Sequence, residues 1–303
     1  MSTFAHGFNF VKNKKGMKNM KKIIKVLLLS FLSVILAACG NGSTTEEDGD
    51  GAEQASGDTL YIGMEAAYPP YNWTQSDDSN GGLPIQNSSE FANGYDVHIA
   101  QKISEATGQP VEIVKTSWDG LVPALQSDKI DLIIAGMTPT NERREAIDFT
   151  DSYYDVQFTM VMKEGSPYED STGISDFDGA RVSGQQGTLH YDILSQLEGA
   201  DVQQALKDFS SLRVALESDK IDAYVSEYPE AVSATNAIDG LTFIELEDSF
   251  TMPEGTEDYL AIGVKPGNEE LLNKVNNVLA GISEEERQEL MDEAIANQPS
   301  EQE

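Results

Sequence analysis

Residues 118–135 read WDGLVPALQSDKIDLIIA, and residues 209–226 read FSSLRVALESDKIDAYVS. The second copy begins 91 residues after the first (209 − 118), and both contain SDKID in the same local context. Each copy predicts a helix, a tight turn and a buried strand, because apolar residues at helical spacing give way to a short apolar run. A period this long is not that of a solenoid repeat. It indicates two similar lobes.

The rest of the chain alternates short apolar strands with helical patterns. Residues 60–64 and 111–114 predict strands, and residues 96–107 predict a helix that Gly108 ends. Residues 131–135 predict a fully buried strand, since all but the first are apolar. Strands that alternate with helices predict an α/β fold with mainly parallel central sheets.

The composition is that of a folded, acidic protein. The 303 residues include 20 Lys+Arg and 52 Asp+Glu, for a formal net charge of −32, and 39% are hydrophobic. Such a length predicts two domains, and the apolar content excludes global disorder. The negative charge argues against a nucleic-acid partner, because phosphate binding needs a basic surface. A single cysteine excludes an internal disulfide, a Cys-based zinc site and an iron–sulfur cluster, and we expect no cofactor.

The N-terminal segment indicates the compartment. Residues 1–38 contain seven lysines and no acid, and an apolar run at 26–38 ends in Leu-Ala-Ala directly before Cys39. This pattern is typical of a signal peptide, and the run is shorter than the roughly 20 residues of a permanent membrane span. The stretch LAACG resembles a bacterial lipobox, which implies a lipoprotein signal peptide and a diacylated Cys39. A plain signal peptide with an incidental cysteine is the alternative.

Residues 39–57 predict an acidic flexible tether, because no large apolar residue follows the cysteine there. Two acyl chains anchor a protein far more firmly than one. We therefore expect a monomer that is lipid-anchored on the extracytoplasmic face of a bacterial membrane, at a Gram-positive cell surface.

The residues after each repeated strand are the first candidates for a ligand site, because open α/β sheets bind ligands beyond the carboxyl ends of their strands. In the first copy, residues 136–143 offer a threonine hydroxyl, backbone N–H groups and Arg143. In the second copy, residues 227–230 offer Glu227. A guanidinium pairs with a carboxylate through two hydrogen bonds, and a carboxylate binds an ammonium group. The two loops together suit a small zwitterion.

Short motifs follow one another from about residue 58 to residue 295: GMEAAYPPY at 63–71, GYDV at 94–97, WDGLVPAL at 118–125, KID at 129–131, GMTPT at 136–140 with Arg143, FTDSYY at 149–154, QGT at 186–188 and KID at 220–222. In this order they resemble the polar amino-acid (family 3) solute-binding proteins of bacterial ABC importers. The resemblance implies a two-lobe, periplasmic-binding-protein-like fold (type II) that closes on its ligand about a two-crossing hinge. It places lobe one at 58–150 plus 261–303, lobe two at 156–255, and the crossings at 151–155 and 256–260.

The resemblance also implies a binding site. Arg143 would bind the α-carboxylate with Thr138 and the backbone near Gly136, and Glu227 would bind the α-ammonium group. Tyr68 and Trp118 would form walls around the side chain of the substrate. Gln185, Thr188 and His190 would belong to the loop of lobe two that closes over the ligand. Glu65 aligns with an acid that contacts the distal charge in some binders of basic amino acids. A cationic ligand, arginine, lysine or histidine, is therefore favoured.

Several residues keep a structural alternative. Trp118 could be a core residue, as its repeat equivalent Phe209 suggests, and Thr138 could cap the following helix. Glu65 could be a solvated acid at a strand end. Residues 77–80 resemble a calcium loop faintly, but their spacing is wrong for an EF-hand, and we predict no metal site.

The predicted function is amino-acid binding without chemistry, followed by delivery to an ABC permease and its ATPase. The ATPase is a separate chain, because this sequence has no phosphate-binding P-loop motif. One alternative is an enzyme on the same scaffold, similar to cyclohexadienyl dehydratase, with Glu227 and His190 as an acid/base pair. The other is a surface amino-acid receptor.

Overall fold

The computed structural model describes residues 59–299. The predicted signal peptide, Cys39 and the tether at 39–57 lie outside the described residues. No helix among residues 59–299 is long and apolar enough to cross a membrane.

Strands and helices alternate along the described chain. The strands are β1 (Leu60–Met64), β2 (Ala67–Tyr68), β3 (Asn72–Gln75), β4 (Leu83–Pro84), β5 (Phe91–Asn93), β6 (Val111–Lys115), β7 (Leu132–Ile133), β8 (Asp148–Asp155), β9 (Phe158–Lys163), β10 (Arg181–Ser183), β11 (Asp201–Val202), β12 (Ala223–Glu227), β13 (Leu241–Glu245) and β14 (Tyr259–Val264). The α-helices are α1 (Tyr95–Thr107), α2 (Trp118–Gln126), α3 (Asn141–Arg144), α4 (Leu189–Asp192), α5 (Phe209–Glu217), α6 (Tyr228–Ala237), α7 (Glu269–Gly281) and α8 (Glu284–Asn297).

Two five-stranded sheets organise these elements. The first has the order β6-β1-β7-β14-β8, and the second has the order β11-β10-β12-β9-β13. We call the sheet that contains β1, with the helices packed on it, the first lobe. The sheet that contains β10, with its helices, is the second lobe. The strands run in the same relative directions in both sheets. The predicted two-lobe α/β fold is confirmed.

The strand directions are more mixed than the sequence predicts. In each sheet two pairings are parallel and two are antiparallel. The fourth strand of each sheet, β14 in the first and β9 in the second, is antiparallel to both of its neighbours. Each of these strands follows a crossing of the chain from the other lobe. The apolar pattern of a strand does not reveal its direction, so the sequence could not predict this reversal.

The repeat of the sequence is also a repeat of structure. Helices α2 and α5 begin at Trp118 and Phe209, 91 residues apart (209 − 118), and each leads into the third strand of its sheet. Asp128 and Asp219 occupy the turn between helix and strand, and both have a φ of 58°. Aspartate tolerates this left-handed conformation better than most residues. The turn geometry therefore explains why SDK recurs.

Two neighbouring strands lead from one lobe to the other. β8 pairs with β14 as far as Asp155 opposite Tyr259, after which the chain enters the second sheet at Phe158. It leaves that sheet at Glu245 and returns through β14. Helix α7 packs on β8, and α8 contacts both α1 of the first lobe and α6 of the second lobe.

The segment 74–93, which includes the stretch at 77–80 considered as a calcium loop, forms part of a small antiparallel sheet. This sheet has the order β2-β3-β5-β4. The amide of Asn93 donates to the carbonyls of Ser79 and Asn80, at 3.2 and 3.1 Å, and so fixes the intervening turn. Among residues 59–299 no group of three or more His, Cys, Asp or Glu is arranged to hold a metal ion.

Candidate functional site

A small cavity lies between the lobes, at the carboxyl ends of parallel strands β1, β7 and β10. Its walls are formed by Leu189 and by nine of the ten residues proposed from sequence. The nine are Glu65, Tyr68, Trp118, Gly136, Thr138, Arg143, Gln185, Thr188 and His190. The tenth, Glu227, lies at the end of β12 and is 1% exposed. The structure therefore brings the proposed set together from loops that are far apart in sequence.

Arg143 is held in place by its own loop and by Trp118. Thr140 caps α3, and its hydroxyl accepts a hydrogen bond from the backbone N–H of Arg143 at 3.2 Å. The guanidinium donates to the carbonyl of Thr138 at 2.6 Å and lies 5.0 Å from the centre of the Trp118 ring. Burial lowers the pKa of Arg143 to about 10, although Asp192 and Glu142 oppose the shift. The side chain therefore stays cationic at neutral pH, and Thr140 has the capping role considered for Thr138.

Two side chains of the first lobe bind the same backbone carbonyl of the second lobe. Gly187 accepts a hydrogen bond from Trp118 Nε1 at 2.9 Å and another from Arg143 Nη2 at 3.1 Å. The residue has a φ of 70°, in the left-handed region that favours glycine. Trp118 is half-buried and lines the cavity, whereas its repeat equivalent Phe209 is 1% exposed. The two repeat positions have diverged into a cavity wall and a core residue.

Glu227 lies beneath the cavity with two side-chain partners. The hydroxyl of Tyr68 donates to Glu227 Oε2, and His190 Nε2 lies 2.9 Å from the same oxygen. The other ring nitrogen of His190, Nδ1, is 3.2 Å from the hydroxyl of Thr188. That hydroxyl donates to the carbonyl of Gln185 at 2.8 Å. Both partners of Glu227 line the cavity, so its charge is placed immediately behind them.

The environment of Glu227 favours its ionised form. Burial alone would raise the pKa of this carboxyl, but the charge of His190 and the hydrogen bonds from His190 and Tyr68 hold it below its ordinary value. Burial and the nearby Glu227 carboxylate together raise the pKa of Tyr68 well above its usual range. Tyr68 therefore stays a neutral hydroxyl that can donate to the carboxylate.

Glu65 joins the two lobes through a second contact at the cavity. The amide of Gln185 donates to both carboxylate oxygens of Glu65, at 3.1 Å each, and to the carbonyl of Lys207 at 3.2 Å. Burial raises the pKa of Glu65 to about 7, the hydrogen bond from Gln185 opposes the shift, and nearby Asp208 adds to it. The alternative of a simply solvated acid at a strand end does not describe this carboxyl.

Gly136 forms part of the cavity wall through its backbone. It has a φ of 60°, and a Cβ at this position would lie 3.0 Å from a ring carbon of Tyr68. Its N–H donates to the hydroxyl of Tyr153 at 2.9 Å, away from the cavity. Of the backbone near Gly136 that was expected to assist the α-carboxylate, this N–H is therefore already in use.

The sequence did not reveal two contributors to this site. Leu189 lines the cavity between two proposed residues, and its place in the chain between Thr188 and His190 was the available signal. Phe209 stacks on Tyr68 with 4.4 Å between ring centres and contacts His190 edge-on at 5.2 Å. Phe209 thus supports both partners of Glu227.

Comparison with known proteins identifies the family. The sequence model of the bacterial extracellular solute-binding proteins, family 3, matches residues 60–296. The chain belongs to this family. It is 32% identical over 232 residues to a probable histidine-binding protein of Campylobacter jejuni, covering 73% of this chain and 83% of that protein. It is 31% identical over 222 residues to an L-arginine-binding protein of Pseudomonas aeruginosa, covering 71% and 79%.

A solved structure of related sequence has the same fold. An ancestral arginine-binding protein bound to arginine matches with a TM-score of 0.62 and 29% identity, covering 77% of this chain and 96% of that one. The resemblance seen in the sequence motifs is thus confirmed at the level of family and fold.

A wider groove lies beside the strands that connect the two lobes of this family 3 protein, and its residues include Tyr154, Tyr228 and Arg287. The guanidinium of Arg287 donates to the carbonyls of Ser152 and Leu279, at 2.7 and 2.9 Å. The interlobe cavity lies at the carboxyl ends of parallel strands, where open α/β sheets bind ligands, and is therefore the better candidate for a ligand site.

Proposed function

We propose that this chain is the amino-acid-binding component of an ABC uptake system and that its ligand is a cationic amino acid. The relatives named above for histidine and arginine support this choice. The observation that carries it is the convergence of one guanidinium and two carboxylates, from both lobes, on one small cavity.

The charges of the cavity match those of the ligand. Arg143 binds the α-carboxylate, for which a planar guanidinium is the best-suited side chain. Glu227, with Tyr68 and His190, supplies the negative environment for the α-ammonium group. Glu65 faces the distal cation from the side of β1 and Gln185. A ligand with one carboxylate and two cationic groups complements this arrangement.

Calorimetry of residues 58–303 tests the proposal. The protein is refolded free of carried-over ligand and titrated with each of the twenty amino acids. We expect arginine, lysine or histidine to bind with micromolar or better affinity, which corresponds to about −8 kcal/mol or more. Binding of glutamine or an acidic amino acid, with none of the three cationic amino acids binding, contradicts the proposed ligand class.

Glu227 is poorly suited to be the general acid of the dehydratase alternative. A general acid must hold a proton near neutral pH, which requires a raised pKa. The pKa of Glu227 is lowered, because His190 and Tyr68 stabilise the carboxylate against the effect of burial. We therefore propose binding without catalysis, and turnover of prephenate or arogenate by the purified protein would contradict it.

Capture at a membrane surface completes the proposal. Lipidated Cys39 anchors a monomer on the extracytoplasmic face, the lobes close about crossings at 151–155 and 256–260, and the closed form delivers its ligand to a permease with a separate ATPase. A surface receptor is the competing role. Loss of radiolabelled arginine uptake on deletion of the gene supports transport, whereas unchanged uptake supports the receptor.

A further inference from the structure

A buried polar chain runs behind the candidate site. The N–H of Gly136 donates to the hydroxyl of Tyr153 at 2.9 Å, and that hydroxyl donates to Asp96 Oδ1 at 2.8 Å. The second oxygen of Asp96 accepts a hydrogen bond from the amide of Asn72 at 2.7 Å. Tyr153 and Asp96 are both 0% exposed. The Gly136 N–H also lies close enough to Asp96 to favour its ionised form, so Gly136, Tyr153 and Asp96 form one connected polar cluster.

The chain begins at the loop that carries the anion-binding residues. Gly136 is two residues before Thr138, whose carbonyl holds the guanidinium of Arg143. With a φ of 60° and the Tyr68 ring above it, Gly136 has little freedom to turn its N–H elsewhere. The hydrogen bond to Tyr153 therefore fixes the depth at which this loop lies in the cavity wall.

The chain continues into the first crossing between the lobes. Tyr153 belongs to β8, and its backbone carbonyl accepts a hydrogen bond from the hydroxyl of Tyr95 at 2.7 Å. Tyr95 and Asp96 open helix α1, directly after Gly94. Gly94 admits no side chain, because a Cβ there would collide with the backbone carbonyl of Tyr71. The start of α1 is thus a rigid support for both ends of Tyr153.

Asp96 is costly to keep in this position. Burial raises its pKa to about 7, while the hydrogen bonds from Asn72 and Tyr153 favour the ionised form. An apolar residue of similar size would avoid the cost of burying a carboxyl group. The carboxylate instead orients the Tyr153 hydroxyl, leaving its lone pairs to accept from Gly136.

We propose that Tyr153 and Asp96 are positioning residues that hold the loop of Gly136 and Arg143 at the depth required for binding the ligand's carboxylate. This inference rests on the proposed amino-acid-binding function. It assigns to the first crossing a direct hydrogen-bonded connection to the anion-binding half of the site, with no contact between Tyr153 or Asp96 and the ligand.

Tyr153→Phe tests the inference, with Tyr154→Phe as the matched control. Both variants lose one tyrosine hydroxyl from adjacent positions of β8. Tyr154, however, lies in the wider groove beside the connecting strands and makes no hydrogen bond to Gly136. The full-length protein is purified in detergent and titrated with L-arginine and with L-arginine amide, which lacks the carboxylate. We expect Tyr153→Phe to weaken L-arginine binding about three- to tenfold, the effect of one hydrogen bond, and to leave the amide unchanged. Tyr154→Phe changes neither.

A second measurement needs no ligand. Hydrogen exchange at the Gly136 amide is expected to accelerate at least fivefold in Tyr153→Phe and in Asp96→Asn, and to stay at the wild-type rate in Tyr154→Phe. Unchanged exchange in both variants, or equal weakening for L-arginine and its amide, overturns the positioning role. Wild-type protein that binds no L-arginine, lysine or histidine overturns the proposed function instead, and the exchange rates still decide whether Tyr153 holds the loop.

Discussion

The hydroxyl of Tyr68, in the first lobe, donates a hydrogen bond to the carboxylate of Glu227, in the second lobe, across 159 residues of sequence. Glu227 also lies 2.9 Å from His190. Tyr68 and His190, the two partners of Glu227, line the interlobe cavity. The pair therefore joins the two lobes at the buried carboxylate behind the cavity.

Tyr68→Phe removes this hydrogen bond and keeps the ring stacked on Phe209. We expect ligand affinity to fall about threefold to thirtyfold, because a bond to a buried charged group contributes about 1.5–3 kcal/mol less any replacement by water. The thermal midpoint without ligand, measured by calorimetry, is expected to fall by a few degrees at most. Tyr191→Phe, whose hydroxyl bonds the carbonyl of Gln203 in the second lobe, is the control for loss of a hydroxyl. Equal affinities for Tyr68→Phe and wild type contradict the prediction.

Arg143→Ala is expected to lower ligand affinity about 100-fold or more, because truncating one member of a buried charge pair costs about 2–5 kcal/mol. Arg143→Lys keeps the charge but cannot form a two-pronged pair with a carboxylate, so most of the loss should remain. Calorimetric titration measures both, and circular dichroism checks that the fold is intact. Arg144→Ala is the neighbouring control, since Arg144 pairs with Glu257 at the surface at 2.8 Å. A folded Arg143→Ala protein with wild-type affinity removes Arg143 from the site.

Glu65 predicts a pH dependence of binding. With a pKa raised by burial to about 7, the carboxyl is protonated and neutral below that pH and anionic above it. Affinity for L-arginine should therefore rise between pH 5.5 and 8, by about tenfold at most for each pH unit when one proton is released. In Glu65→Gln the rise should disappear, and the affinity at pH 8 should fall about tenfold for arginine while staying constant for glutamine. A pH profile that Glu65→Gln leaves unaltered argues that another group is responsible.

The same carboxyl predicts a change in stability. Because the pKa of folded Glu65 is raised from 4.5 to about 7, its contribution to stability is fully present below pH 4.5 and is lost as the pH rises through 7. Glu65→Gln removes this loss, so the ligand-free variant should be more stable than wild type at pH 8 and not at pH 4.5. Urea unfolding at the two pH values measures the difference. Greater relative stability of the variant at the lower pH would falsify the assignment.

Cys39→Ser is expected to block lipid attachment and to leave an unprocessed precursor or released protein. Because Cys39 is the only cysteine, incorporation of labelled palmitate followed by mass spectrometry assigns any acyl chain without ambiguity. Ser43→Ala, a short way further along the predicted tether, is the control. Normal membrane retention and processing of Cys39→Ser would show that the lipobox interpretation is wrong.

The fold could be predicted because it depends on short-range patterns, whereas most members of the candidate site were proposed from the resemblance to family 3. The repeated SDKID stretch predicts the two turns in which Asp128 and Asp219 have left-handed conformations. The loops that follow the strands of a parallel arrangement meet at one edge of a sheet. Arg143 and Gln185 therefore lie at the same cavity although they are in different lobes.

Other features depend on contacts between distant residues, which no local pattern records. The stacking of Phe209 on Tyr68, and the pairing of Tyr68 with Glu227, arise only when the lobes meet. The N–H of Gly136 donates to the hydroxyl of Tyr153, which lies 17 residues later in the sequence, on β8. The strands that contribute to the segment 74–93 are only two to four residues long, too short for an alternating apolar pattern to show.

The contact at Gly187 has a consequence for how such a protein can vary in evolution. Its carbonyl accepts from both Trp118 and Arg143, and a carbonyl belongs to the backbone, which a missense mutation leaves in place. A replacement at Gly187 itself is strained by its φ of 70°. Inherited changes in this contact therefore have to arise at the two donors. Glu65 and Leu189 line the same cavity but make no part of this contact, so they can change while the contact is retained.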